Sequence, residues 1–203
     1  MKIKVCGIRN QNNLAFLNGS DIDFIGFIFY GKSARNFDDG DLKDTIDSSK
    51  QKVGVFVNEK IEVVEEVAAK YDLNYIQLHG DESPSYCQSL KEKGYKLFKA
   101  FAVKDELPTN LVDYESVVDC FLFDTKGQAY GGNGKQFDWS VLDQYSLNKP
   151  FILSGGIGLE DLESIKNVAH PKLFAVDVNS RFEIAPGEKD EQKLKEFIEE
   201  LKK

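Results

Sequence analysis

Residues that can transfer protons stand at the ends of two short apolar runs. Cys6 ends a run near the N-terminus, and Asp124 ends the run Phe121-Leu122-Phe123. A thiol whose pKa is lowered can form a thiolate that accepts a proton, and a carboxyl group in apolar surroundings can stay protonated and donate one. The two residues are therefore candidates for a general base and a general acid. The simpler alternatives, a buried apolar cysteine and an aspartate that caps a turn, are the more frequent roles of these residue types.

Two segments in the last quarter of the chain are suited to binding a phosphate. Gly155 and Gly156 follow an apolar run and precede a predicted helix at residues 159–168, so their backbone N–H groups could face an anion. Another apolar run ends in residues 177–180, Asp-Val-Asn-Ser. The glycine spacing matches neither the dinucleotide-binding fingerprint nor the Walker sequence. A tight turn at the glycines and a helix cap by the asparagine or serine remain the alternatives.

Other candidate residues suggest a small anionic substrate and no metal. Arg35 is a planar cation that suits a carboxylate, although loop arginines are more often simply solvated. The glycine-rich residues 127–134 could close over a substrate or could be a slack connection. The chain has two histidines, His79 and His170, and His170 precedes a proline in a predicted loop. We therefore expect no metal site.

These residues recur at the ends of a repeated element, a short run rich in β-branched and aromatic residues followed by a charged stretch with helical spacing. The runs predict eight strands, at residues 2–6, 23–29, 52–57, 75–79, 95–101, 120–124, 150–154 and 173–178. Several runs are apolar almost throughout, which is typical of parallel strands covered on both faces. Helical spacing is clearest in two apolar sets, namely Val64, Val67, Ala68 and Tyr71, and Leu194, Phe197, Ile198 and Leu201.

Eight strand and helix units in 203 residues predict one α/β domain, residues 1–203, folded as a (β/α)₈ TIM barrel. An open doubly wound sheet would have about five or six strands. In a TIM barrel the active site lies at the C-terminal ends of the strands. That is where the candidate residues stand in the sequence.

Composition limits the partners. The net charge of −8 and the pI near 4.9 argue against binding nucleic acid or an anionic membrane surface, so an anionic ligand would need a local pocket. The sequence has no apolar run of about 18 residues and no signal-peptide pattern at its start. The three widely spaced cysteines, Cys6, Cys87 and Cys120, are expected to be reduced thiols. We therefore expect a cytoplasmic protein.

Longer motifs that contain these residues resemble the phosphoribosylanthranilate isomerase family along nearly the whole chain and in the family's order. The motifs are Lys-Val-Cys-Gly-Ile at 4–8, Val-Gly-Val-Phe-Val-Asn at 53–58, Ile-Gln-Leu-His-Gly-Asp-Glu at 76–82, Phe-Asp-Thr at 123–125, Gly-Asn-Gly-Lys-Gln-Phe-Asp-Trp at 132–139, Leu-Ser-Gly-Gly-Ile at 153–157 and Pro-Gly-Glu-Lys-Asp at 186–190. The chain departs from the common family pattern at residues 179–183, where the family often has a glycine and this chain has Arg181.

The resemblance implies a cofactor-independent (β/α)₈ barrel of tryptophan biosynthesis. Its reaction would be an Amadori rearrangement of N-(5′-phosphoribosyl)anthranilate to 1-(2-carboxyphenylamino)-1-deoxy-D-ribulose 5-phosphate. By the same resemblance, Cys6 is the general base, Asp124 is the general acid, and Arg35 faces the anthranilate carboxylate. The implied phosphate contacts are Gly155, Gly156, Asn179 and Ser180, and further substrate contacts are Gln77, His79 and Asp177.

Two other functions were weighed. A metal-dependent pentulose-phosphate epimerase would share the phosphate end of the barrel, but it needs histidines and carboxylates that converge on a metal. A regulatory domain that binds a phosphorylated ligand without turnover would fit an open α/β sheet. For assembly we expect a monomer, with a homodimer as the alternative.

Overall fold

The structure, a computed structural model, describes residues 1–38, 46–125 and 136–203. The strands in these residues are β1 (Lys2–Cys6), β2 (Phe24–Phe29), β3 (Gln51–Phe56), β4 (Tyr75–Leu78), β5 (Leu97–Val103), β6 (Cys120–Thr125), β7 (Phe151–Leu153), β8 (Leu173–Val178), β9 (Glu183–Ala185) and β10 (Glu188–Lys189). The α-helices are α1 (Gln11–Asn18), α2 (Ile61–Tyr71), α3 (Pro84–Glu92), α4 (Leu111–Tyr114), α5 (Leu162–Lys166) and α6 (Glu191–Lys202). Short 3₁₀ helices cover Trp139–Gln144, Leu159–Asp161 and Ser180–Phe182.

Strands β1 to β8 form a closed parallel barrel in which each strand pairs with its neighbours in sequence. The barrel closes where β8 pairs with β1, so that Lys4 lies beside Asp177 and Val5 beside Val178. The predicted (β/α)₈ TIM barrel is therefore confirmed. None of the helices in the described part of the chain combines the length and the apolar character needed to cross a bilayer.

The strand predictions are confirmed with small shifts at their ends. The first and the last barrel strands have the predicted bounds, Lys2–Cys6 and Leu173–Val178. The largest shift is at β5, which was predicted at residues 95–101 and is observed at Leu97–Val103. Strand ends depend on hydrogen bonds to the neighbouring strand, and a single sequence does not contain that information.

The helix predictions are only partly confirmed. Helix α6 buries all four of its predicted apolar residues, and Asp190 caps it by accepting the N–H of Lys193. The predicted helix at residues 159–168 is wrong in its bounds, because Leu159–Asp161 is a 3₁₀ turn and α5 ends at Lys166. After β6, the described residues 136–150 contain a 3₁₀ helix rather than an α-helix. The hairpin of β9 and β10 was not predicted.

Side chains alternate along each barrel strand between the interior of the barrel and the layer beneath the helices. Seen from β1, Lys4 and Cys6 share the interior face, whereas Ile3 and Val5 pack in the large cluster under the helices. A smaller buried cluster fills the lower interior with Phe24, Val53, Phe98, Ala100, Cys120, Leu122, Ile152 and Ala175. Several interior positions nearer the C-terminal ends are polar, among them Gln77, Asp124, Ser154 and Asp177, and they line a cavity at that end of the barrel.

A buried ion pair joins the first and the last strand of the barrel. Lys4 Nζ donates to Asp177 Oδ2 at 2.9 Å, and the two side chains are 0% and 5% exposed. Burial is the largest influence on the pKa of Lys4 and lowers it, but Asp177 and Cys6 together raise it by more, so the net direction is upward. Lys4 therefore stays charged. Its positive charge and the negative charge of the Asp177 carboxylate compensate each other.

We expect Lys4→Met to destabilise the fold by about 3–5 kcal/mol at neutral pH, because the substitution leaves the buried Asp177 carboxylate without its cation. Urea unfolding followed by circular dichroism measures this loss. The double variant Lys4→Met/Asp177→Asn should recover part of it, since both charges are then removed. Lys52→Met is the matched control, because Lys52 pairs with Asp72, which is 77% exposed. An equal effect of Lys4→Met and Lys52→Met would contradict a dominant role for the buried pair.

Candidate active site

One cavity of about 540 Å³ lies at the C-terminal ends of the barrel strands. All ten residues that the sequence pointed to line it, namely Cys6, Arg35, Gln77, His79, Asp124, Gly155, Gly156, Asp177, Asn179 and Ser180. These residues come from six strands or the loops that follow them, and the barrel brings them together. The volume is in the range of typical small-molecule sites, about 300–1,000 Å³.

Cys6 lies at the bottom of the cavity and is 5% exposed. It pairs across the sheet with Gly26, where a Cβ atom would lie 2.7 Å from Cys6 Sγ, so the glycine makes room for the thiol. Burial raises the pKa of the thiol above its ordinary value, while Lys4 and Lys189 act in the opposite direction. Burial therefore does not favour a thiolate formed through a lowered pKa, and a base at Cys6 would work with a small thiolate fraction. The expected position at the mouth of the barrel is the observed one.

Asp124 belongs to a chain of polar side chains that crosses the cavity. Its Oδ2 lies 3.0 Å from His79 Nε2, and His79 Nδ1 lies 2.8 Å from Gln77 Nε2. Its Oδ1 accepts the backbone N–H of Thr125 at 2.8 Å. The surroundings of Asp124 are thus more polar than the apolar run before it indicated. Because Gln77 Nε2 can only donate, His79 Nδ1 accepts from it, and His79 Nε2–H donates to Asp124.

A second buried ion pair fixes the loop that carries His79. Glu82 accepts the backbone N–H groups of Asn58 and Gly80, and Lys99 Nζ lies 3.1 Å from Glu82 Oε2. Lys99 also donates to the carbonyl of Gly80 at 2.7 Å. These contacts tie the ends of β3, β4 and β5 together just behind the imidazole. Because His79 directly precedes Gly80, the contacts that hold Gly80 also restrict the position of the imidazole ring.

The predicted phosphate side is built from backbone groups. Within the described residues, the N–H groups of Gly155, Gly156 and Ser180 have no hydrogen-bond partner, and all three residues line the cavity. Gly155 has φ +95°, and a Cβ atom there would lie 2.3 Å from Thr125 Oγ1 and 2.9 Å from Asp124 Oδ1. The loop after β7 therefore reaches Asp124 only because this position is glycine. The side chain of Asn179 makes no helix-cap hydrogen bond.

A cluster of charges lies beside Asn179 at the rim of the cavity. Arg35 donates from Nε and Nη2 to the Glu183 carboxylate, and the Nη2–Oε2 distance is 2.6 Å. Lys189 Nζ donates to Glu183 Oε1 at 2.8 Å and to Asn179 Oδ1 at 2.7 Å. Arg181, whose place the sequence left undecided, pairs with Glu160 and does not line the cavity.

Sequence reasoning did not single out the charged residues that support the site, namely Lys4, Glu82, Lys99, Glu183 and Lys189. Lys4 had a signal, because it stands two residues before Cys6 and so shares its face of the strand. Lys189 lies in the motif at residues 186–190, but its contact with Glu183 depends on the hairpin and could not be read from the sequence. The glycine-rich residues 127–134 lie outside the described residues. Among the residues that are described, no three His, Cys, Asp or Glu side chains group as metal ligands would.

Comparison with protein families gives one match that covers almost the whole chain. Residues 3–200 match the family model of N-(5′-phosphoribosyl)anthranilate (PRA) isomerase. An N-(5′-phosphoribosyl)anthranilate isomerase from Parabacteroides distasonis is 47% identical over 207 residues, which cover 99% of this chain and 93% of that protein.

Solved structures with the same fold cover the chain completely. Monomers made from the dimeric phosphoribosylanthranilate isomerase of Thermotoga maritima align with a TM-score of 0.82 and 34% identity, over 100% of this chain and 98% of that one. A phosphoribosylanthranilate isomerase in complex with reduced 1-(o-carboxyphenylamino)-1-deoxyribulose 5-phosphate aligns with a TM-score of 0.79 and 33% identity, over 100% of this chain and 98% of that one.

We expect Gly155→Ala to be more destabilising than Gly94→Ala, a matched control. Both glycines have positive φ, +95° and +91°, so both substitutions carry backbone strain of about 1–2 kcal/mol. A Cβ atom at Gly94 meets open space, whereas one at Gly155 collides with Thr125 and Asp124, which adds an overpacking cost of about 1–3 kcal/mol. Chemical unfolding of both variants measures the difference. Equal losses would show that the loop after β7 moves away from Asp124 at little cost.

Proposed function

This chain belongs to the N-(5′-phosphoribosyl)anthranilate isomerase family, and we propose that it carries out the family's reaction with Cys6 as general base and Asp124 as general acid. The reaction is the Amadori rearrangement of N-(5′-phosphoribosyl)anthranilate in tryptophan biosynthesis. The observation that carries the residue assignment is that one cavity collects Cys6, the Asp124–His79 pair, Arg35 and the unpaired N–H groups after β7 and β8. The metal-dependent epimerase and the non-catalytic regulatory domain are set aside by the family match.

The proposed chemistry moves one proton at a time. Asp124 protonates the furanose ring oxygen, the bond from that oxygen to C1′ breaks, and the nitrogen lone pair forms a protonated Schiff base. The Cys6 thiolate then removes the proton from C2′, and the electrons of that C–H bond neutralise the iminium to give an enolamine, which tautomerises to the ketose. Asp124 and Cys6 thus transfer two different protons.

The chain Gln77–His79–Asp124 supports a carboxyl group that both donates and regains a proton. As placed, Gln77 Nε2 donates to His79 Nδ1, so His79 Nε2–H donates to the Asp124 carboxylate. Rotation of the Gln77 amide would let its Oε1, which has no partner in the described residues, accept from Nδ1–H, and Nε2 would then accept from a protonated Asp124. Both protonation states of Asp124 therefore keep a hydrogen bond. This is a property that a general acid needs, because it must change state in every turnover.

We assign the rest of the cavity to binding the two charged ends and the sugar. The free N–H groups of Gly155, Gly156 and Ser180, with Asn179 beside them, suit the phosphate, since backbone donors bind anions without a net charge. Arg35 suits the anthranilate carboxylate. Gln77 Oε1 and Asp177 Oδ1 are buried acceptors without a partner in the described residues, and ribose hydroxyl groups would satisfy them.

The domain organisation, the cellular location and the assembly are further parts of the proposal. We propose a single catalytic domain, residues 1–203, that works in the cytoplasm as a monomer. The proposal of a monomer rests on the sequence prediction alone. The relative from Thermotoga maritima is a dimer. Light scattering that gave twice the chain mass of 22.9 kDa would contradict it.

The function is tested by following the loss of anthranilate-type fluorescence as the substrate is converted by the purified protein. We expect Asp124→Asn to lower kcat at least about 10²-fold with little change in substrate binding, which is the scale of a positioned acid. Cys6→Ala should also be severely impaired. Cys87→Ala is the control, because Cys87 is a buried thiol outside the cavity. A wild-type protein without turnover would refute the function, whereas an active Asp124→Asn or Cys6→Ala variant would refute only the residue assignment.

The raised pKa of Cys6 predicts a pH dependence. Only the thiolate can accept the C2′ proton, and its fraction grows as the pH rises towards the thiol pKa, which burial has moved upward. We therefore expect kcat/KM to rise with pH beyond about 8.5, the ordinary cysteine value. The rate of Cys6 alkylation by iodoacetamide should rise over the same interval. A profile of kcat/KM that is already flat at neutral pH would show that the site stabilises the thiolate more strongly than its burial opposes it.

A further inference from the structure

The Arg35 guanidinium is held by a carboxylate that belongs to the protein. Nε donates to both oxygens of Glu183, at 3.0 and 2.9 Å, and Nη2 donates to Oε2 at 2.6 Å. The two residues are 148 positions apart, so this contact joins the loop after β2 to the start of β9. Within the described ranges, all recorded hydrogen bonds of the guanidinium go to Glu183.

The contact occupies only one edge of the planar guanidinium. Nε and the near hydrogen of Nη2 face Glu183, which leaves the Nη1 hydrogens and the far hydrogen of Nη2 for another acceptor. Those hydrogens form a second edge that can bind a carboxylate bidentately. Because Arg35 lines the cavity and its side chain is 18% exposed, a ligand can reach it. One cation can thus hold a protein carboxylate and a ligand carboxylate in the same plane.

Glu183 is itself fixed in place. Its side chain is 4% exposed, and it also accepts from Lys189 Nζ at 2.8 Å and from the backbone N–H of Gly187 at 3.1 Å. Gly187 has φ +82°, which allows the tight turn between β9 and β10. Burial acts to raise the pKa of Glu183, but Arg35 and Lys189 outweigh it and the net direction is downward. Glu183 is therefore an ionised, rigidly held anchor.

We propose that Glu183 is a positioning residue for substrate recognition, which orients Arg35 so that its free edge faces the carboxylate of the substrate. The proposal rests on the proposed role of Arg35. Without this anchor, the long side chain of Arg35 would sample several rotamers, and binding would have to select one of them. Glu183 touches no substrate atom in this arrangement. It also accepts from Lys189, which donates to Asn179, so the part of its effect that passes through Arg35 is the part that disappears when Arg35 is removed. It therefore acts on KM and on carboxylate selectivity rather than on the proton transfers.

The test is a double-mutant cycle of Glu183→Gln and Arg35→Ala, read by KM and kcat. We expect Glu183→Gln to raise KM roughly tenfold and to leave kcat within about threefold, because an interaction that binds substrate and transition state alike affects KM alone. In the Arg35→Ala background, Glu183→Gln should change KM by less than about twofold, since residues that act as a unit are not additive. Glu188→Gln, which removes an exposed carboxylate from the same hairpin, should leave KM unchanged.

Binding of two ligands separates positioning from damage to the fold. Glu183→Gln should weaken the binding of the reduced product analogue. It should not weaken the binding of the same compound with a phenyl ring in place of the carboxyphenyl ring. If Glu183→Gln does not fold, as judged by thermal unfolding, Glu183→Asp takes its place. Aspartate keeps the charge and draws the carboxylate back by one methylene group, so the same rise of KM is expected.

Three results would overturn the proposal. A lower KM in Glu183→Gln would mean that Glu183 competes with the substrate for Arg35. An equal rise of KM in the wild-type and Arg35→Ala backgrounds, or equal weakening of both ligands, would mean that Glu183 acts through the hairpin rather than through Arg35. A protein that turns over the substrate with an unchanged KM in Arg35→Ala would refute the role of Arg35, and a protein without turnover would refute the function itself.

Discussion

The buried Lys4–Asp177 pair is the interaction on which the architecture and the site both depend. It lies where β8 meets β1, so it forms only when the barrel is closed. Two charges without water are tolerated in the interior only because they compensate each other. The pair also lies directly below Cys6, since Lys4 shares the interior face of β1 with the thiol. Closing the barrel therefore places a cation under the proposed base in the same step.

Above that pair, the site follows from the alternation of side chains along parallel strands. Cys6, Gln77, Asp124 and Asp177 all occupy interior positions near the C-terminal ends of their strands. Glycines then decide how closely the strands and loops approach. Gly26 leaves space for the Cys6 sulfur, and Gly155 lets the loop after β7 contact Asp124. The barrel strands fix the distance between the proposed catalytic groups, so these side chains need few further contacts to hold them in place.

The sequence predicted what depends on periodicity and on motifs, and it missed what depends on contacts over long separations. Alternating and apolar runs located all eight barrel strands, and the strand ends together with the family resemblance named ten residues that share one cavity. The sequence left open whether the pKa of Cys6 is lowered, because it shows that Cys6 ends a strand but does not show how deeply the barrel buries it. Glu183 carried no signal, since its partner Arg35 is 148 residues away.

Charge compensation explains how a chain with a net charge of −8 can bind a substrate that carries a phosphate and a carboxylate. Three cations in or behind the cavity wall, Lys4, Arg35 and Lys189, are each paired with a carboxylate of the protein. Paired cations contribute little net field, so they do not attract anions over a distance as a basic patch would. Lys32 also lines the cavity and has no ion pair among the described residues, so the unpaired donors at short range are Lys32, the free edge of Arg35 and backbone N–H groups. Such donors are directional, and they favour a ligand whose two anionic ends have the right separation over any other anion of equal charge.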